Sequence, residues 1–269
     1  MRKIKIALAQ MECELGNKEV NINKALDYVK QASIEGADII CLPELTVSGY
    51  NLDVLKDDLK ELSDTLTGDT VKTFKNAASQ NKIHIIIPLI LNENDVIKNS
   101  AVLIDDEGNV MGQYNKNHMF GQEGLYFGRD NQYPVFETKF GRIGILICYD
   151  INFPEPARVL ALSGVEVILV AAAWRIQDAD KWDMLTNVRA LENTVFVAAV
   201  NAYAEYENLT LFGHSKVISP VGKVLAESNK KGAELIIHQI DLDDIKTERQ
   251  GNPYLKDRLP KGYSKLVEV

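Results

Sequence analysis

The sequence predicts an α/β protein built on mixed β-sheets, and three observations predict it. Short apolar runs alternate with stretches of helical spacing along most of the chain, the pattern of strands covered by helices. Two hairpin-type turns, Asp105-Asp106-Glu107-Gly108-Asn109 and Ser219-Pro220-Val221-Gly222, reverse strand direction, so no sheet can be purely parallel. The 269 residues are 46% hydrophobic and 25% charged, which suits a packed core, and no linker, low-complexity tract or fixed-period repeat divides them. A single domain over residues 1–269 is expected. The pattern is compatible with two packed sheets carrying helices outside, without singling that arrangement out.

Each element has its own signal. Residues 4–9 alternate as a strand. Ile22, Leu26 and Val29 recur at helical spacing within Val20 to Glu35, and Gly36 stops that helix. The run from Asp38 to Leu42 ends at Pro43 and reads as a buried strand. Residues 51–68 are polar and read as loop with short helix. A helix over 70–80 places Val71, Phe74 and Ala78 on one face. Strands follow at 83–91, 100–104 and 110–114. Gly144 to Cys148 is a strand entering a loop, Pro156 to Leu162 a helix ended by Gly164, and Val165 to Ala173 an apolar strand. Trp182 to Asn193 is a helix expected to bury Met184, Leu185, Val188 and Leu191. Strands at 195–200, 215–218, 223–226 and 235–240 complete the chain.

Composition excludes several classes of function. The net charge of −8 disfavours nucleic acid and anionic membranes as partners, since both attract a positive field. Residues 1–6 lack the pattern of a signal peptide, and the longest apolar run, Val167 to Trp174, spans 8 residues against the roughly 20 a bilayer requires. Three cysteines without a CxxC pair form neither a disulfide framework nor a zinc site. The four histidines, His84, His118, His214 and His238, have no ligand spacing, so no metal and no cofactor are expected. A cytoplasmic location follows as the simplest reading.

Three segments carry chemical interest: Leu42-Pro43-Glu44, Tyr114-Asn115-Lys116-Asn117-His118, and Ile147-Cys148-Tyr149-Asp150. Taken singly each has an ordinary reading: a solvated Glu at a strand end, a surface Lys, an inert core thiol. Taken together, with Ser48-Gly49-Tyr50, Phe153-Pro154-Glu155, Arg158, Trp174, Arg189 to Asn193 and Gly213-His214-Ser215, they resemble the nitrilase superfamily of carbon–nitrogen hydrolases. The resemblance spans Gln10 to Tyr263, and the gaps of 72 and 32 residues between Glu44, Lys116 and Cys148 also look like that family.

The resemblance implies a four-layer α-β-β-α sandwich with two mixed β-sheets that dimerises through helices, with the tail from about residue 250 near the interface. It implies Cys148 as nucleophile, Glu44 as general base and Lys116 as cationic stabiliser, with Glu123 supporting Lys116 and positioning substrate. Tyr50, Phe120, Tyr149 and Trp174 lie next to these segments and are candidate pocket walls. The implied partner is a small amide, cleaved to acid and ammonia through a thioester; an N-carbamoyl amide or a nitrile would use the same residues. A non-catalytic interaction protein on the same fold would tolerate loss of the trio, which is intact here. His118 is expected to be a buried, hydrogen-bonded orienter of its loop, and Glu155, Arg158, Arg189 and Glu192 to form structural ion pairs. Cys13 and Cys41 read as inert. The chain departs from the family pattern at Asn115, where Arg is common, at the short Gly121-Gln122 connection, and at Leu259 in the tail. These departures bear on substrate and on the tail, not on the trio.

Overall fold

A computed structural model describes residues 2–268. In chain order the elements are β1 (Lys3–Gln10), α1 (Lys18–Ile34), β2 (Ile39–Cys41), α2 (Leu52–Leu55), α3 (Leu59–Leu62), α4 (Asp69–Asn81), β3 (His84–Glu93), β4 (Val96–Ile104), β5 (Val110–Asn115), β6 (Phe136–Glu137) and β7 (Arg142–Ile147). There follow α5 (Pro154–Leu162), β8 (Val167–Ala172), α6 (Ala179–Asn193), β9 (Phe196–Asn201), β10 (Tyr203–Glu205), β11 (Thr210–Phe212), β12 (Lys216–Ile218), β13 (Val224–Glu227), β14 (Glu234–Asp241) and α7 (Asp243–Gly251).

Two six-stranded mixed sheets form, in the orders β14-β1-β2-β3-β4-β5 and β13-β12-β9-β8-β7-β6. The strand period of two explains how they stack. In β1, Ile4, Ile6 and Leu8 face a core shared with the second sheet, whereas Ala7 and Ala9 face a core shared with α1 and α4. Ala157, Leu160, Trp182 and Ala190 of α5 and α6 cover the outer face of the second sheet. The result is the four-layer α-β-β-α sandwich. β1-β2-β3 and β7-β8-β9 are parallel sets, and the C-terminal ends of β2 and β7 lead into Glu44 and Cys148.

Helix α6 differs from expectation. It buries Trp182, Thr186, Arg189, Ala190 and Asn193. Met184 is 69% exposed and Leu191 38%, and Leu185 and Val188 are only partly covered. Arg189 lies inward beside Trp182 and Ala190 because it hydrogen-bonds the turn that follows β7, and Met184 and Leu191 are turned toward solvent instead. The β10–β11 hairpin, β6 and α7 carry too few apolar residues to signal themselves; α7 buries Ile245 alone.

Candidate active site

The trio is assembled from strand ends. Glu44 follows β2, Lys116 follows β5, and Cys148 follows β7. The first two come from one sheet and the third from the other. Lys116 Nζ lies 2.7 Å from Glu44 Oε1 and 2.8 Å from Glu123 Oε1, and all three side chains are fully buried. Burial opposes the charge of Lys116, but Glu123 and Glu44 outweigh it and hold the ammonium more firmly protonated than usual. One cation against two carboxylates cannot neutralise both. Accordingly the Glu44 carboxyl is pushed up, first by burial and further by Glu123, with Lys116 and Asn99 opposing.

Each carboxylate oxygen is satisfied. Glu44 Oε1 also accepts from Asn99 Nδ2 at 2.8 Å, and its Oε2 accepts from the backbone N–H of Ala173 at 3.0 Å. Glu123 Oε1 accepts from the Tyr50 hydroxyl at 2.7 Å and Oε2 from the Phe120 N–H at 2.9 Å. Asn99 and Ala173 were not visible in the sequence as site residues. Neither belongs to a motif; β4 and the end of β8 bring them in by sheet register.

Cys148 sits at a sharp turn. β7 stops at Ile147, and Cys148 takes a left-handed φ of 45°, which a side-chain-bearing residue adopts rarely. Several contacts hold it there. Asp150 Oδ2 accepts from the Ile147 N–H at 3.0 Å and the Tyr114 hydroxyl at 2.7 Å. Asp150 Oδ1 meets the His118 N–H at 3.0 Å and His118 Nδ1 at 2.9 Å. His118 thus orients its loop through Asp150, although its side chain is 28% exposed rather than buried. Arg189 donates to the carbonyls of Ile151 at 3.0 Å and Asn152 at 2.9 Å, and pairs with Glu192 at 3.0 Å. Arg158 instead keeps Nη1 buried without a partner among the described residues.

Burial raises the Cys148 thiol well above its ordinary value; Glu44 and Glu123 push the same way, and Lys116 opposes them. The resting group is therefore a thiol, and its proton must leave during attack. Cys13 is pushed up to about 12 by burial, with Lys24 opposing, and Cys41 is raised by burial alone. All three cysteines are free. Among the described residues no group of three or more His, Cys, Asp or Glu could hold a metal, and no helix is long and apolar enough to cross a membrane.

A cavity of about 240 Å³ opens onto Cys148. Tyr50, Phe120, Tyr149 and Trp174 all line it, together with Asn152 and Leu209. Trp174 is fixed by its N–H to Asn201 Oδ1 at 2.6 Å and by Nε1 to the carbonyl of Asp178 at 2.8 Å. A buried carboxyl of raised pKa, a thiol and an ammonium beside one small cavity can transfer an acyl group through sulfur.

A family model described as carbon-nitrogen hydrolase matches residues 5–250. The chain is 35% identical to a probable nitrilase of Schizosaccharomyces pombe over 98% of this chain and 99% of that protein. It is 32% identical to the 2-oxoglutaramate amidase of Bacillus subtilis over 94% of this chain and 96% of that protein. Among solved structures, Saccharomyces cerevisiae Nit3, described as a member of branch 10 of the nitrilase superfamily, superposes with a TM-score of 0.87 at 28% identity, covering 95% of this chain and 96% of Nit3.

Proposed function

Because the chain belongs to the carbon–nitrogen hydrolase family of the nitrilase superfamily, we propose that it cleaves a small linear amide to a carboxylic acid and ammonia through a thioester on Cys148. The observation that carries this reading is the buried Glu44–Lys116–Glu123 cluster, at 2.7 and 2.8 Å, beside the cavity that Cys148 lines. The 2-oxoglutaramate amidase named above and an omega-amidase of Saccharomyces cerevisiae at 28% identity support an amide substrate.

In this reading Glu44 takes the thiol proton as Sγ bonds to the amide carbon. The carbonyl π-electrons move onto oxygen, where Lys116 and the Tyr149 N–H stabilise the charge. A donor in that role is typically worth about 2.7–4 kcal/mol, a hundredfold to a thousandfold in kcat. Glu44 returns the proton to the departing nitrogen as the C–N bond breaks, leaving the thioester. Glu44 then takes a proton from water as its oxygen bonds to the acyl carbon. The C–S bond breaks, and the proton returns to sulfur. A carboxyl raised by burial suits this alternation, since it must give and take a proton near working pH. Glu123 holds Lys116 and, through Tyr50, one wall of the cavity. We place the protein in a reducing cytoplasm, as a homodimer joined through the outward apolar face of α5 and α6.

Intact-mass measurement after mixing with a panel of amides tests the reading. Wild type should carry an acyl adduct that Cys148→Ala lacks, and full turnover by Cys148→Ala refutes it. Glu44→Gln should slow both thioester formation and breakdown; normal breakdown removes Glu44 from the base role.

A further inference from the structure

We propose that Arg175 and Lys181 form an anion-reading subsite in the cavity, selecting amides whose far end carries a carboxylate. The inference rests on the amide-hydrolase reading of the same cavity. Arg175, Asp178 and Lys181 line it together with Cys148. Arg175 Nε and Lys181 Nζ both bond Asp178, one to each carboxylate oxygen. Two cations share one carboxylate, so the cluster keeps one positive charge. Lys181 is 63% exposed and Arg175 43%, whereas Asp178 is 14% exposed, which places the cations toward the solvent side.

Arg175 is held for this task. Its backbone forms a β-bridge with Leu211, and its guanidinium lies 5.0 Å from the centre of the Phe120 ring. Only Nε is engaged; Nη1 and Nη2 have no hydrogen-bond partner among the described residues. A planar fork with spare parallel donors matches a carboxylate.

The inner end has the opposite character. Glu44 and Glu123 flank a single Lys116, so a substrate carboxylate placed there meets two like charges. An amide with a carboxylate at its other end therefore has one favourable orientation: amide inward against Cys148, carboxylate outward against Arg175 and Lys181. The 240 Å³ cavity has room for about eight waters at ~30 Å³ each, enough for a short linear chain. A cationic tail would meet the same cluster with repulsion.

Three probes of similar length separate the cases: glutaramate (anionic tail), glutaramide (neutral) and 5-aminopentanamide (cationic). Ammonia release should give kcat/KM at least tenfold higher for glutaramate than for glutaramide, with the cationic amide lowest, the gap residing in KM and shrinking with added salt. Arg175→Gln should cut the glutaramate-to-glutaramide ratio at least tenfold, Arg175→Lys should restore part of it, and Asp178→Asn, which removes the competing carboxylate, should raise it. Hydrolysis without preference among the three, or an unchanged ratio in Arg175→Gln, overturns the subsite while leaving the amidase reading intact. Failure to turn over any amide counts against the amidase reading instead. Calorimetry with glutaramate on Cys148→Ala then decides the subsite: it should bind, weakened at least tenfold by adding Arg175→Gln, and equal affinity refutes it.

Discussion

At the residue scale the site is governed by a mismatch of charge. Lys116 is tolerable in the interior because Glu44 and Glu123 bond it directly. Lys116→Met leaves two buried carboxylates facing each other, and a loss of about 3–5 kcal/mol is expected in urea unfolding at neutral pH. Without the cation, the folded-state carboxyl pKa rises further above its unfolded value. The folded variant then binds a proton more tightly than the unfolded chain, so its deficit against wild type should shrink as pH falls. In the proposed mechanism Glu44 must be ionised to act as base, and burial raises it. The acid limb of kcat/KM should therefore lie above the ordinary glutamate value of about 4.3; a limb at or below it contradicts the assignment. Glu44, Lys116 and Cys148 were legible because each sits in a local motif. Asn99 and the Ala173 N–H were not, because what brings them to Glu44 is register between strands far apart in sequence.

At the element scale, helix α6, which bonds the turn holding Cys148, buries a face that differs from its hydrophobic periodicity. Hydrophobic periodicity places Met184 and Leu191 inward, yet α6 turns Arg189 and Thr186 inward instead. The reason is the turn after β7, whose carbonyls at Ile151 and Asn152 need donors that the 3-10 segment Cys148–Asn152 cannot supply itself. Periodicity records where apolar side chains could be buried; it does not record such a demand. Arg189→Met should destabilise by about 2–4 kcal/mol, two charge-assisted hydrogen bonds being lost, and should lower kcat more than it raises KM, because Cys148 loses its support. A variant destabilised with unchanged kcat at low temperature separates the helix from the geometry of Cys148. The strands, in contrast, were legible nearly throughout: fully apolar runs such as Val167–Ala172 have no plausible place except between two covered faces.

At the scale of the whole molecule, the solvent-facing side of α6 is where the proposed dimer contact can be tested. Met184, with Val159 at 42% and Leu162 at 48% exposure on α5, leaves an apolar surface on one outer layer of the sandwich. Surfaces of this kind mark association sites. Sedimentation of the wild type should give about twice the 30.0 kDa chain mass, and Leu162→Glu with Met184→Glu should return it to one chain; a dimer undisturbed by both changes places the interface elsewhere. The layered architecture was legible only through family resemblance. Alternation of strands and helices is common to several arrangements, and the pairing of β14 with β1 joins residues 241 and 3, a distance no local signal spans.

That pairing has a consequence for the chain as it is made. β1 emerges long before Glu234–Asp241, the strand that covers its outer edge. At a synthesis rate of roughly 5–20 residues per second, the ribosome needs about ten seconds to most of a minute to deliver that cover. Through that interval the nascent chain presents an unpaired strand edge, a ready template for joining its neighbours on a polysome.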